Sequence, residues 1–141
     1  MTSMYRFLAL LLLLGAGLVG GQARVRASGL EMKTAGEIDY VSGGVGASEQ
    51  EALAQVKHDY NLRLLFAVSG SGSFLASVPV TIADGRGQVL LEAVSAGPYF
   101  YARVPAGRYQ VTAERRGRVK TQSVRVPATG AVSVDFRWAQ E

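Results

Sequence analysis

Arg115, Arg116, Arg118 and Lys120 flank Gly117 in a short basic run. Cations at a hairpin tip suit contact with an anionic glycan, a lipopolysaccharide or an acidic protein. The plainer reading is a solubilising tip that also keeps a strand edge from pairing with other chains. Upstream, Tyr99, Phe100 and Tyr101 stand in succession. Successive side chains of a strand point to opposite faces, so at least one ring must face away from the core. An outward Tyr99 or Tyr101 can stack on a sugar or anchor a protein contact, and cover by a helix would account for it equally.

Catalytic constellations are weaker. His58 is the one histidine, followed by Asp59. Without cysteine it makes a poor metal set, and the helix dipole favours a histidine near a helix C-terminus, so a structural role is expected. The serines lie in no nucleophile-elbow pattern and have one candidate base. Paired carboxylates need no local motif, but the acids here fall in turns, helix starts and solvent faces. Gly43-Gly44-Val45-Gly46 precedes a helix start, where backbone N–H groups can cradle an anion. No P-loop lysine or dinucleotide spacing follows, and two glutamates in the first turn repel phosphate, so the run reads as a flexible linker. No catalytic, cofactor-binding or metal-binding residue is assigned, and the expectation is a non-enzyme without cofactor.

The elements around these residues read mainly as strands. Residues 28–46 form a polar, glycine-containing arm, within which Ile38-Asp39-Tyr40-Val41-Ser42 can add a short strand. Residues 47–73 hold a helix and the first strand of the domain. Ser48 and Glu51 have the spacing of a capping box, and Ala52, Leu53, Val56 and Tyr60 make one apolar stripe, predicting a helix over residues 49–60. Leu62, Leu64, Phe66 and Val68 then alternate with more polar or smaller neighbours. Pro79 marks an edge or a strand start. Turns at Asp84-Gly85-Arg86-Gly87, Ala96-Gly97-Pro98, Gly117 and residues 127–130 separate further strands, and Val132, Val134, Phe136 and Trp138 alternate most cleanly. Short strands with turns every eight to twelve residues, roughly, point to a sandwich or barrel.

The N-terminus reads as an address. Residues 1–6 carry one positive charge and no acid, residues 7–14 are almost unbroken leucine, and small residues follow. That order is a secretory signal peptide over residues 1–27, cleaved after Ala23 or Ala27. The apolar run falls short of the ~20 residues that span a bilayer, although an uncleaved anchor is the alternative. About 115 residues then remain, enough for one domain. With no cysteine, the chain must hold together by packing and sheet hydrogen bonds. The formal charge of +4 includes Arg6, Arg24 and Arg26, so the mature chain is near +1, which argues against a nucleic-acid partner.

Val78-Pro79-Val80-Thr81-Ile82-Ala83-Asp84-Gly85-Arg86-Gly87, the glycine before Tyr99-Phe100-Tyr101, and Val104-Pro105-Ala106-Gly107-Arg108-Tyr109-Gln110-Val111 together resemble the carboxypeptidase regulatory-like domain, over residues 74–138. The resemblance implies a transthyretin-like (prealbumin-like) antiparallel β-sandwich of about seven strands, here with one N-terminal helix, residues 47–73 joining 74–141 in one domain. It also implies a scaffold that accompanies other proteins rather than a shared active site. Hydroxyisourate hydrolases share that architecture, but their several histidines and Tyr-Arg-Gly-Ser ending have no match in Trp138-Ala139-Gln140-Glu141. The expected role is a monomeric, exported binding or accessory module, periplasmic or secreted, recognising an envelope protein or glycan, with no transmembrane segment in the mature chain. A partner subunit docking through an edge strand or the 28–46 arm is one alternative, and a hydrolase of unknown class another.

Overall fold

The computed structural model describes residues 30–140. The expected signal peptide and both expected cleavage positions lie outside the described residues. Period-two alternation of apolar and polar side chains becomes strand almost everywhere it occurs. The strands are β1 (Met32–Ala35), β2 (Ile38–Gly43), β3 (Leu62–Val68), β4 (Val78–Asp84), β5 (Val89–Ser95), β6 (Tyr99–Arg103), β7 (Gly107–Arg115), β8 (Arg118–Val126) and β9 (Val132–Trp138). Between β2 and β3 run helix α1 (Ala47–Val56) and a 3-10 turn, Lys57–Asp59. No helix among the described residues is long and apolar enough to cross a membrane.

Two sheets result, one in the order β1-β2-β6-β3-β9 and one in the order β5-β4-β7-β8. This is a mainly β, two-sheet sandwich with nine strands among the described residues, where about seven were expected. Every pair is antiparallel except one. β3 and β9 run parallel, Leu62 beside Val132 and Val68 beside Trp138, so the wholly antiparallel expectation is corrected. The helix is not N-terminal either, because two strands precede it.

Those two strands also correct the flexible arm. Residues 32–43 form a hairpin whose two-residue turn has Gly36 at φ 59°, and β2 pairs with β6 from Asp39↔Arg103 to Gly43↔Tyr99. β1 escaped the pattern because it is an edge strand with no fully buried side chain. The expected strand at residues 38–42 is present as β2.

Helix α1 starts two residues early and without the capping box. Gly46, at φ 90°, is the N-cap and makes no side-chain bond. Glu49 instead reaches back to accept the Gly44 N–H at 3.2 Å, which places the helix start ahead of Ser48. The stripe itself is as expected: Ala52, Leu53 and Tyr60 are buried with Leu30, Val41 and Tyr101, and Val56 packs against them.

The main core lies between the sheets. Phe66, Phe100 and Phe136 are fully buried and Trp138 nearly so. Phe66 lies 5.7 Å from the Phe136 ring and 6.2 Å from Trp138. Pro79 marks the strand start: it is the second residue of interior strand β4, opposite Val94 of β5, and the β7 ladder begins only at Val80.

Candidate functional site

Period two sends Leu62, Leu64 and Phe66 of β3 into the core, and Arg63 and Leu65 to the outer face of the five-stranded sheet. On β6 the same rule turns Phe100 inward and Tyr99 and Tyr101 outward. Helix α1 covers the β2–β6 part of that outer face, and the part beside β3 and β9 stays open. The boundary is a row of rings. Phe74 lies 5.8 Å from Tyr99, Tyr99 lies 6.1 Å from Tyr101, and Tyr101 lies 6.4 Å from Tyr60. The Arg103 guanidinium stands 5.8 Å above the Tyr60 ring. A groove of about 170 Å³ opens beside the two middle rings, with Leu65, Tyr99 and Tyr101 in its lining and Lys57, Arg63 and Asp135 supplying charge.

Exposure along the row is graded. Phe74 is 51% exposed, Tyr99 half-buried, and Tyr101 only 6% exposed beneath the helix. Tyr101 therefore lines the groove and does not offer a stacking face. Burial pushes its hydroxyl pKa up, helped by Tyr99 and opposed by Arg63. Burial likewise raises Tyr60, against the lowering influence of Arg103. Phe74, the most open ring, escaped the sequence reading. Its signal was a lone aromatic directly after the Ser69-Gly70-Ser71-Gly72-Ser73 connection, where no core requires one.

The glycine run before α1 is neither a linker nor an open cradle. Gln50 Nε2 donates to the Gly44 carbonyl at 3.1 Å, complementing the Glu49 bond to the Gly44 N–H. A Cβ on Gly97 would collide with the Gly43 backbone, and one on Gly44 with the Tyr99 ring. Ser42 Oγ accepts the Ala96 N–H at 2.9 Å, and buried Ser95 donates to the Gly97 carbonyl at 2.7 Å. His58 sits on the 3-10 turn with its side chain 77% exposed, 3.6 Å from Asp59. Among the described residues no three His, Cys, Asp or Glu side chains gather as a metal site.

The basic run occupies the β7–β8 hairpin. Arg116 and Gly117 form its two-residue turn at φ 48° and 76°. Arg115 pairs with Arg118 and Ala113 with Lys120. Ala113 is buried toward the opposite sheet, so Arg115, Arg118 and Lys120 share its side of the hairpin, beyond the core. Trp138 Nε1 donates to the Arg118 carbonyl at 3.1 Å and fixes the hairpin to β9. A cavity of about 470 Å³ separates the tip from the segment entering β4, lined in part by Leu75, Ser77, Pro79, Glu114, Arg115 and Arg116. The two expected contact sets thus stand on different sheets, the tyrosines on β6 and the cations on β7 and β8. Compared with models of known protein families and with curated proteins, the sequence matches none.

Proposed function

We propose that this chain is a non-catalytic binding module of the cell envelope, exported by its leader, and that it reads a saccharide through the aromatic groove. The carrying observation is half-buried Tyr99, which lines the groove together with Lys57, Arg63 and Asp135 and also meets the exposed ring of Phe74, 5.8 Å away. A sugar ring presents apolar C–H faces and a polar edge. An aromatic platform takes the first, and a few charged groups orient the second. The leader-like order of residues 1–27 supports export, and the turn-and-strand resemblance over residues 74–138 supports an accessory scaffold of transthyretin-like type.

Calorimetric titration with soluble envelope oligosaccharides tests this reading. Phe74→Ala should weaken binding by about two- to tenfold, the scale of one aromatic stack. Because Phe74 is half exposed and outside the core, that variant should keep its melting temperature. Saccharide binding unchanged in Phe74→Ala and Tyr99→Ala, or no binding by the parent, rejects the groove as the site.

A further inference from the structure

Helix α1 lies against the five-stranded sheet and leaves the outer face of the four-stranded sheet uncovered. On that sheet Tyr109 and Val124 turn into the core, so period two sends Arg108, Gln110, Ser123 and Arg125 to the outer face. Register sets Arg108 directly opposite Arg125 and Gln110 directly opposite Ser123. In an antiparallel ladder the closer side-chain pairs are those without backbone bonds between them, and they alternate outward from the turn. Counted from the two-residue turn at Arg116 and Gly117, Arg108↔Arg125 belongs to that closer set. So does Thr112↔Thr121, whose hydroxyls meet at 3.0 Å.

Like charges directly opposite one another oppose strand pairing. A carboxylate between them would offset this, yet among the described residues neither Arg108 nor Arg125 has a side-chain hydrogen bond or an ion pair. The acid closest along the neighbouring strand, Asp84, is taken up by the β4–β5 turn, where it accepts the N–H groups of Arg86 and Gln88 at 2.9 Å each. On the outer face itself, Glu92 stands on β5, beyond β4, and Glu114 at the far end of β7. A hollow of about 420 Å³ opens beside the pair, lined by both arginines, Gln110, Ser123 and Gly85. The missing side chain of Gly85 leaves that space: a Cβ there would stand 3.8 Å from the Arg108 Cβ.

We propose that Arg108 and Arg125 clamp a tetrahedral oxyanion, a phosphate or sulfate group, either free or carried on a hydroxylated ligand. A guanidinium presents a planar fork of N–H donors. One fork satisfies the two oxygens of a carboxylate. Two forks side by side suit an anion with three or four oxygens, which sets its charge between two cations that otherwise repel. Gln110 and Ser123 lie one step further along the same face, roughly 7 Å on, and offer an amide and a hydroxyl to whatever carries the anion. The clamp stands on the opposite sheet from the aromatic groove and shares no residue with it.

The test is calorimetric titration of the purified protein with inorganic phosphate, inorganic sulfate, glycerol 3-phosphate and acetate at constant ionic strength. The three tetrahedral anions should bind, and acetate should bind at least about tenfold more weakly. Arg108→Gln and Arg125→Gln should each lose about ten- to a hundredfold, the scale of a hydrogen bond to a charged group. Both side chains are exposed, and each change removes a like-charge contact, so the melting temperature should hold or rise. Gly85→Glu keeps both arginines and sets a carboxylate beside them, so it should abolish binding and raise the melting temperature. Glycerol 3-phosphate binding more tightly than inorganic phosphate, with the advantage lost in Ser123→Ala, supports the clamp and identifies a phosphomonoester. Equal binding of the two supports the clamp and identifies the free anion. Acetate bound as tightly as phosphate, binding undiminished in both arginine variants, or no binding by the parent overturns the proposal. None of these substitutions lies in the saccharide groove, so failure here leaves that reading standing.

Discussion

Where β2 gives way to α1, side-chain bonds from Ser42, Glu49 and Gln50 are joined by close backbone approach: Gly43 lies against Gly97, Gly44 lies under the Tyr99 ring, and Trp138 seals the hairpin beside them. At the opposite end the loops are held by side chains bonding to backbone. Asn61 accepts the Val104 N–H at 2.9 Å and donates to the Val104 carbonyl at 2.6 Å. Tyr109 donates to the Pro105 carbonyl at 2.5 Å, and Asp84 takes the N–H groups of Arg86 and Gln88 at 2.9 Å each. The first arrangement tolerates no added atom. The second weakens by degrees as polar atoms are removed.

Substitutions at the two ends put that contrast to the test. The largest loss is expected from Trp138→Ala, about 3–5 kcal/mol for a buried aromatic, against the ~5–15 that hold a domain together. A urea melt should find it largely unfolded, and an unchanged midpoint would remove Trp138 from the core. Gly97→Ala comes next, at about 1–3 kcal/mol, since its new Cβ meets backbone that no rotamer change can move. If Gly97→Ala melts like the parent, the close approach is not what holds that end.

At the other end, Asn61→Ala leaves the Val104 N–H without its partner and should cost about 1–2 kcal/mol. Tyr109→Phe removes one bond and should cost about 0.5–1.5 kcal/mol. A loss from Asn61→Ala larger than that from Gly97→Ala would reverse the comparison.

The pH dependence is the smallest effect and is silent at neutrality. Burial raises the pKa of Tyr60, Tyr101 and Tyr109 above the ordinary value of about 10. Below that value all three are protonated whether the chain is folded or not, and they add no slope. Above it the unfolded chain loses its phenolic protons first, so stability falls as pH rises toward the folded values. Tyr101→Phe should make that alkaline fall shallower.

The strands from β3 onward were legible because each buries one face, and burial of one face writes period two into the side chains. β1 was not, since Met32-Lys33-Thr34-Ala35 buries neither face fully. The helix stripe was legible in Ala52, Leu53, Val56 and Tyr60. Its start was not, because Glu49 turns back to Gly44 rather than to a serine cap. The basic hairpin was plain from Gly117 between two alternating runs. At the aromatic groove, alternation told which way Tyr99 and Tyr101 point, but what covers Tyr101 is decided by a helix some fifty residues upstream in the chain. Phe74 extends the row of rings through its contact with Tyr99, which local spacing does not encode.

The parallel pairing of β3 with β9 also governs when the molecule can be finished. Each of its partners lies 70 positions further along the chain, Leu62 with Val132 and Phe66 with Phe136. Closing so long a loop costs entropy before any contact repays it, so folding should be slow for a chain of this size. A chain emerging from its N-terminus can build the β7–β8 hairpin early, yet β3 keeps one bare edge until the last strand arrives. Loss of a few C-terminal residues would strand the protein in that half-made state, with Phe66 uncovered and an unpaired edge open to other chains.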